Sequence, residues 1–125
     1  MDVTPMIPGN RWVINGYGPN QFRISGEVYH GSMLVFPTGV ASWSVGAVED
    51  LTAQNIVDAV SQSPEHLEIL LLGSGGKMTL VPRTVRDAVI DRGISVDVME
   101  TGAACRTYNV LLAEGRSVGA ALIAI

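Results

Sequence analysis

This chain is expected to fold as a single α/β domain over residues 1–125, with 1–10 a loose N-terminal segment. Its first half consists of short runs with period-2 patterning, cut by Gly, Pro and Asn, as in antiparallel strands joined by tight turns. Its second half interleaves strand-like runs with helix-period segments, the pattern of right-handed crossovers and a largely parallel sheet. Composition agrees: 47% of the residues are apolar and 16% charged, which excludes a disordered chain.

Residues 11–17 read as the first strand, and Gly18-Pro-Asn20 turns the chain into 22–25, where Phe22 and Ile24 share a face. Strands at 28–30, 33–36 and 40–45 follow, separated by Gly31-Ser32 and Pro37-Thr-Gly39, and the series makes an antiparallel β-meander. Thr52 is placed as the N-cap of a helix over 53–62, with Ile56, Ala59 and Val60 as its apolar stripe and Ser63-Pro64 as its stop. The near-continuous apolar run at 66–72 reads as a central strand covered on both faces. Thr84 is expected to cap a second helix through Asp91, with Val85, Ala88 and Val89 inward and Gly93 at its end. A strand at 94–98, a third helix capped by Thr101 and stopped by Gly115, and a last strand at 117–125 complete the order.

Charge and cysteine content narrow the function classes. The net charge is −4 and the eight basic residues are scattered, so nucleic acid is not the expected partner. A single cysteine forms no internal disulfide and has no metal-ligand spacing around it, which fits a reducing compartment. The N-terminus lacks a basic-then-apolar leader, and the longest apolar run, 120–125, is far short of a membrane span. A soluble, cytoplasmic protein is expected. So little charge leaves apolar surface to be covered, by another protein or a second copy.

Two segments carry the candidate chemistry. Gly73-Ser-Gly-Gly-Lys77 follows the carboxyl end of the buried strand, where α/β proteins bind ligands, and successive glycine N–H groups with Lys77 suit an anion. Its spacing matches neither the P-loop nor GxGxxG, so a crossover turn is the favoured reading. Cys105, Arg106, Tyr108 and Asn109 lie on the third helix, with Cys105 expected in its first turn, where N–H groups and the Arg106 charge would stabilise a thiolate. A small buried thiol is the stronger reading, since only His30 and His66 could serve as a base and both read as surface residues of strands. Buried Arg106 and Arg116 would need carboxylates, with Asp97, Glu100 and Glu114 the candidates. Tyr108 belongs to the core face with its hydroxyl seeking a partner, and Asn109 shares the face of Cys105. Trp12 and Trp43 read as core or interface anchors. No paired carboxylates, Ser-His-Asp set or zinc signature is present, which points away from an enzyme.

Leu70-Leu-Leu-Gly-Ser-Gly-Gly76, Gly93-Ile94 and above all Met99-Glu-Thr-Gly-Ala-Ala-Cys-Arg-Thr-Tyr-Asn-Val-Leu-Leu-Ala-Glu-Gly-Arg116 resemble an uncharacterised bacterial and archaeal family. Its eukaryotic relatives include the third mitochondrial respiratory complex I assembly factor and the adipogenesis-associated domain protein. The likeness runs roughly from Tyr17 to Ile125. It implies a three-layer fold with a central mixed sheet, helices and a β-meander. It also implies a scaffold that works with other proteins as a membrane complex is assembled. Carried over, Gly73, Ser74, Gly75, Cys105, Arg106, Thr107, Tyr108 and Asn109 match the family pattern and are expected to form a shared pocket. The resemblance supplies no reaction, metal or cofactor.

Overall fold

A computed structural model describes residues 11–125; the segment 1–10, expected to be loose, lies outside the described residues. Strands β1 (Ile14–Gly18), β2 (Gln21–Ile24) and β3 (Glu27–His30) form an antiparallel sheet of their own. Strands β4 (Met33–Phe36) and β5 (Gly39–Ser42) belong instead to a five-stranded mixed sheet with β6 (Ile69–Gly73), β7 (Ser95–Met99) and β8 (Val118–Leu122), in the order β5-β4-β8-β6-β7. The meander expected from the first half is therefore three strands long, not five. Patterning explains the division. In β2 buried and exposed residues alternate, as on a one-sided sheet, whereas all four residues of β4 are buried, as in a strand covered on both faces.

β6 pairs in parallel with both β7 and β8, and β8 pairs antiparallel with β4. The strand expected from residue 66 begins at Ile69, with Leu67 already buried ahead of it. Alternation along the central strands divides their side chains between two cores. Leu34, Phe36, Leu70, Leu72, Ala121 and Ile123 face helices α1 (Ala53–Ser61) and α2 (Arg83–Ile90). Met33, Val35, Leu71, Ala120 and Leu122 face helix α3 (Thr101–Ala113) and the apolar side of the small sheet. The result is three layers, two helices on one face and a helix with a sheet on the other.

The helix ends show what sequence spacing resolves and what it misses. Thr52 caps α1 as expected, in a reciprocal box: its hydroxyl accepts the Asn55 N–H at 3.0 Å, and the Asn55 amide oxygen accepts the Thr52 N–H at 2.9 Å. Thr84 does not cap α2. Pro82 stands at that cap, its carbonyl accepting the Val85 N–H at 3.0 Å, so the helix opens one residue before Thr84. Thr101 does not cap α3 either. The Glu100 carboxylate takes that position, accepting the Ala103 N–H at 2.8 Å, and Thr101 becomes the first helical residue with its hydroxyl free to bond elsewhere. Cys105 consequently lies in the second turn, beyond the exposed N–H groups of the helix start. Gly115 ends α3 with φ +79°, and the Gly115 and Arg116 N–H groups bond the carbonyls of Leu112 and Leu111, each at 3.0 Å.

Candidate functional site

Helix α3 runs between the five-stranded sheet and strand β1, touching β6 and β8 on one side and β1 on the other. A helix covered on two sides must be apolar nearly all round, and any polar side chain along it needs a partner in the protein. The segment from Thr101 to Asn109 meets that demand with backbone groups of other elements.

At the helix start, the Thr101 hydroxyl accepts the Gly75 N–H at 2.8 Å and donates to the Ile123 carbonyl at 2.7 Å. One buried side chain thus ties the loop after β6 to the end of β8. A Cβ on Gly73 would come within 2.8 Å of that hydroxyl, so glycine at the end of β6 is a matter of close approach. The Ser74 N–H bonds the Met99 carbonyl at 2.9 Å. Its hydroxyl donates to the Lys77 carbonyl at 2.7 Å and accepts the Thr79 N–H at 3.2 Å. The N–H of Gly75, one of the glycine donors that suit an anion, and the N–H of Ser74 beside it are therefore engaged by neighbouring elements.

Farther along, Cys105, Tyr108 and Asn109 are buried, Thr107 is half-buried and Arg106 is exposed. Burial pushes the Cys105 thiol up to about 12; the nearby Arg106 charge pulls it down less, and Glu100 adds to the rise. It is a thiol held away from its nucleophilic form. Burial likewise raises the Tyr108 phenol, whose hydroxyl donates to the Trp12 carbonyl at 2.8 Å. Asn109 bonds the backbone of Ile14 twice. Its amide oxygen accepts the Ile14 N–H at 3.0 Å, and its amide nitrogen donates to the Ile14 carbonyl at 2.6 Å. Ile14 lies opposite Ile24 of β2, next to an irregularity in register. Asn109 therefore supplies on the outer side of β1 what a further strand would have supplied.

Arg106 turns outward, donating to the Tyr17 hydroxyl at 2.9 Å and lying 3.5 Å from Glu100. Glu100 thus serves both the helix cap and the guanidinium. A Cβ on Gly102 would fall 2.6 Å from the Tyr17 hydroxyl oxygen, so the small sheet closes directly onto the first turn of α3. Sequence spacing gave no hint of Tyr17. The available signal was Gly102, a poor helix former placed inside the first turn. Arg116 pairs with Glu68 at 3.5 Å rather than with Asp97 or Glu114, because parallel pairing puts the start of β6 beside the start of β8. The Ser117 N–H on the Glu68 carboxylate, and after it Arg116, hold that carboxyl below its usual value.

The other candidates are dispersed. His30 and His66 are exposed, and His66 lines an open cleft of about 320 Å³ with Ser61, Ser63, Glu65 and Arg92. Trp43 is buried against α1 and α2, and Trp12 is half-buried against the second core. Among the described residues, no three His, Cys, Asp or Glu side chains are grouped as a metal site, and no helix is long and apolar enough to cross a membrane.

Residues 14–123 match the family described as "Protein of unknown function (DUF498/DUF598)". The chain is 34% identical over 111 residues to "NADH dehydrogenase [ubiquinone] 1 alpha subcomplex assembly factor 3" of Danio rerio, covering 89% of this chain and 63% of that protein. It is 36% identical over 123 residues to an uncharacterised protein of Rhodobacter capsulatus, covering 97% and 93%. A crystal structure of a Bordetella parapertussis protein matches with a TM-score of 0.85 at 32% identity, over 92% of this chain and 97% of that one. The chain spans 63% of the Danio rerio assembly factor and 59% of its Rattus norvegicus counterpart.

Proposed function

This chain belongs to the DUF498/DUF598 family, and on that premise we propose that it is a non-enzymatic interaction protein of the assembly-factor kind. The carrying observation is its likeness, over 89% of its length, to a protein named as an assembly factor for NADH dehydrogenase. The engagement of Thr101, Tyr108 and Asn109 with the protein's own backbone supports a structural rather than a chemical use of α3. The proposal takes in a cytoplasmic location, protein partners on the apolar surface, a second copy among them, and a part in building respiratory complex I.

Deleting the gene in its own host tests this reading. Assembled NADH dehydrogenase should fall while synthesis of its subunits is unchanged, and the tagged chain should recover those subunits. A deletion strain with the full amount of assembled enzyme overturns it.

A second reading takes Gly73, Ser74, Gly75 and Cys105 to Asn109 as a pocket for a small molecule or anion. One observation favours it: the glycine loop and the start of α3 meet through the Thr101 hydroxyl. A metabolite retained through native purification, and lost on Arg106→Ala, would support that reading.

A further inference from the structure

The connection from β6 to α2 exposes two large apolar side chains, Leu80 at 85% and Met78 at 53%. The loop around them is anchored. The Ser74 hydroxyl bonds the Lys77 carbonyl at 2.7 Å and the Thr79 N–H at 3.2 Å, while Val81 is buried against the first core. Leu80 and Met78 are thus held out between two fixed points.

Their charged surroundings are one-sided. Residues 69–86 contain no acidic side chain, yet they carry Lys77, Arg83 and Arg86, three of the eight basic residues of a chain whose net charge is −4. Lys77 is exposed and the Arg83 side chain is 92% exposed. The next acid, Asp87, is 3.9 Å from Arg83 and offsets one charge. Apolar side chains projecting from a segment flanked by cations have the chemistry of an interfacial anchor, with the apolar tips entering the acyl boundary and the cations meeting lipid phosphates.

We propose that the Lys77-Met-Thr-Leu80 loop, with Arg83 and Arg86, docks this protein on an anionic lipid surface. The local excess of positive charge selects the occupant, because an apolar partner alone would not require it. The proposal is independent of the assembly reading: its test uses only the pure chain and lipid, so its failure leaves that reading standing.

The experiment is co-sedimentation of the full chain with phosphatidylglycerol–phosphatidylcholine vesicles, and with phosphatidylcholine vesicles alone. Binding is expected with the first and not the second, and it should weaken at high salt. Leu80→Ser should lower partitioning by at least roughly 10-fold, and Lys77→Gln by about 5-fold. Both positions are exposed, so the variants should melt as the parent does. Ile90→Ser, at the other end of α2 and 53% exposed, should bind as the parent does. No binding to anionic vesicles, or equal binding by Leu80→Ser, overturns the proposal. It is also overturned if lipid-free sedimentation velocity shows a dimer that Leu80→Ser dissolves, since the loop then belongs to a second copy.

Discussion

Replacing Asn109 with leucine keeps the branched heavy-atom shape but removes both bonds to Ile14, leaving a buried N–H and a buried carbonyl without partners. Each such group costs about 1–3 kcal/mol, so urea unfolding should report a loss of about 2–5 kcal/mol. A loss under about 1 kcal/mol would mean that water or a neighbour satisfies Ile14 instead. Tyr108→Phe removes only the bond to Trp12 and should cost about 1 kcal/mol, whereas Tyr108→Ala, which empties a fully buried site, should cost about 3–5 kcal/mol. Cys105 adds a pH dependence. Its thiol keeps its proton to about 12 in the native state, against 9.0 for an unperturbed thiol. The stability linked to it is complete below that unfolded value and is lost as pH rises from about 9 toward 12. Burial shifts Tyr108 in the same direction at higher pH. A stability profile for Cys105→Ala that falls as steeply as the parent's above pH 9 would assign the loss elsewhere.

At the scale of the elements, the glycines at the two ends of α3, Gly102 in its first turn and Gly115 just past its end, should behave differently for a stated reason. Gly102→Ala places a methyl 2.6 Å from the Tyr17 hydroxyl oxygen and must displace the Tyr17 ring from the helix start, at about 1–3 kcal/mol. Gly115→Ala meets nothing within 4 Å, and its cost of about 1 kcal/mol comes from the φ of +79° alone. Thermal melts of the two variants should therefore differ, and Gly102→Ala should also release Arg106 from Tyr17. The same elements show how far local pattern reaches. The Thr52 cap was legible because its partner Asn55 is three residues away. The roles of Thr101 and Glu100 were not, since the choice between them depends on Gly75 and Ile123, both more than twenty residues distant. The strands of the first half were legible from alternation, but their division between sheets was not. The unbroken apolar run of β4 against the alternation of β2 was the clue available. The pairing of Arg116 with Glu68 follows only from strand order, which no local spacing contains.

On the scale of the whole molecule, one helix joins the two sheets. The small sheet is fastened to α3 at Trp12 and Ile14 by Tyr108 and Asn109, and at Tyr17 by Arg106. Strands β6 and β8, at the centre of the larger sheet and covered on both faces, should show the slowest amide exchange, and β3, exposed along most of its length, the fastest. The polar residues that give the chain its most distinctive segment act in this account as clamps on the protein's own backbone. Native-state hydrogen exchange in Asn109→Leu tests that most directly, read at Ile14 and at Leu71. The clamp predicts that protection at Ile14 falls well beyond any fall at Leu71, as the edge of β1 loses the two bonds that Asn109 makes to Ile14. Equal changes at the two amides, or none at Ile14, would contradict it.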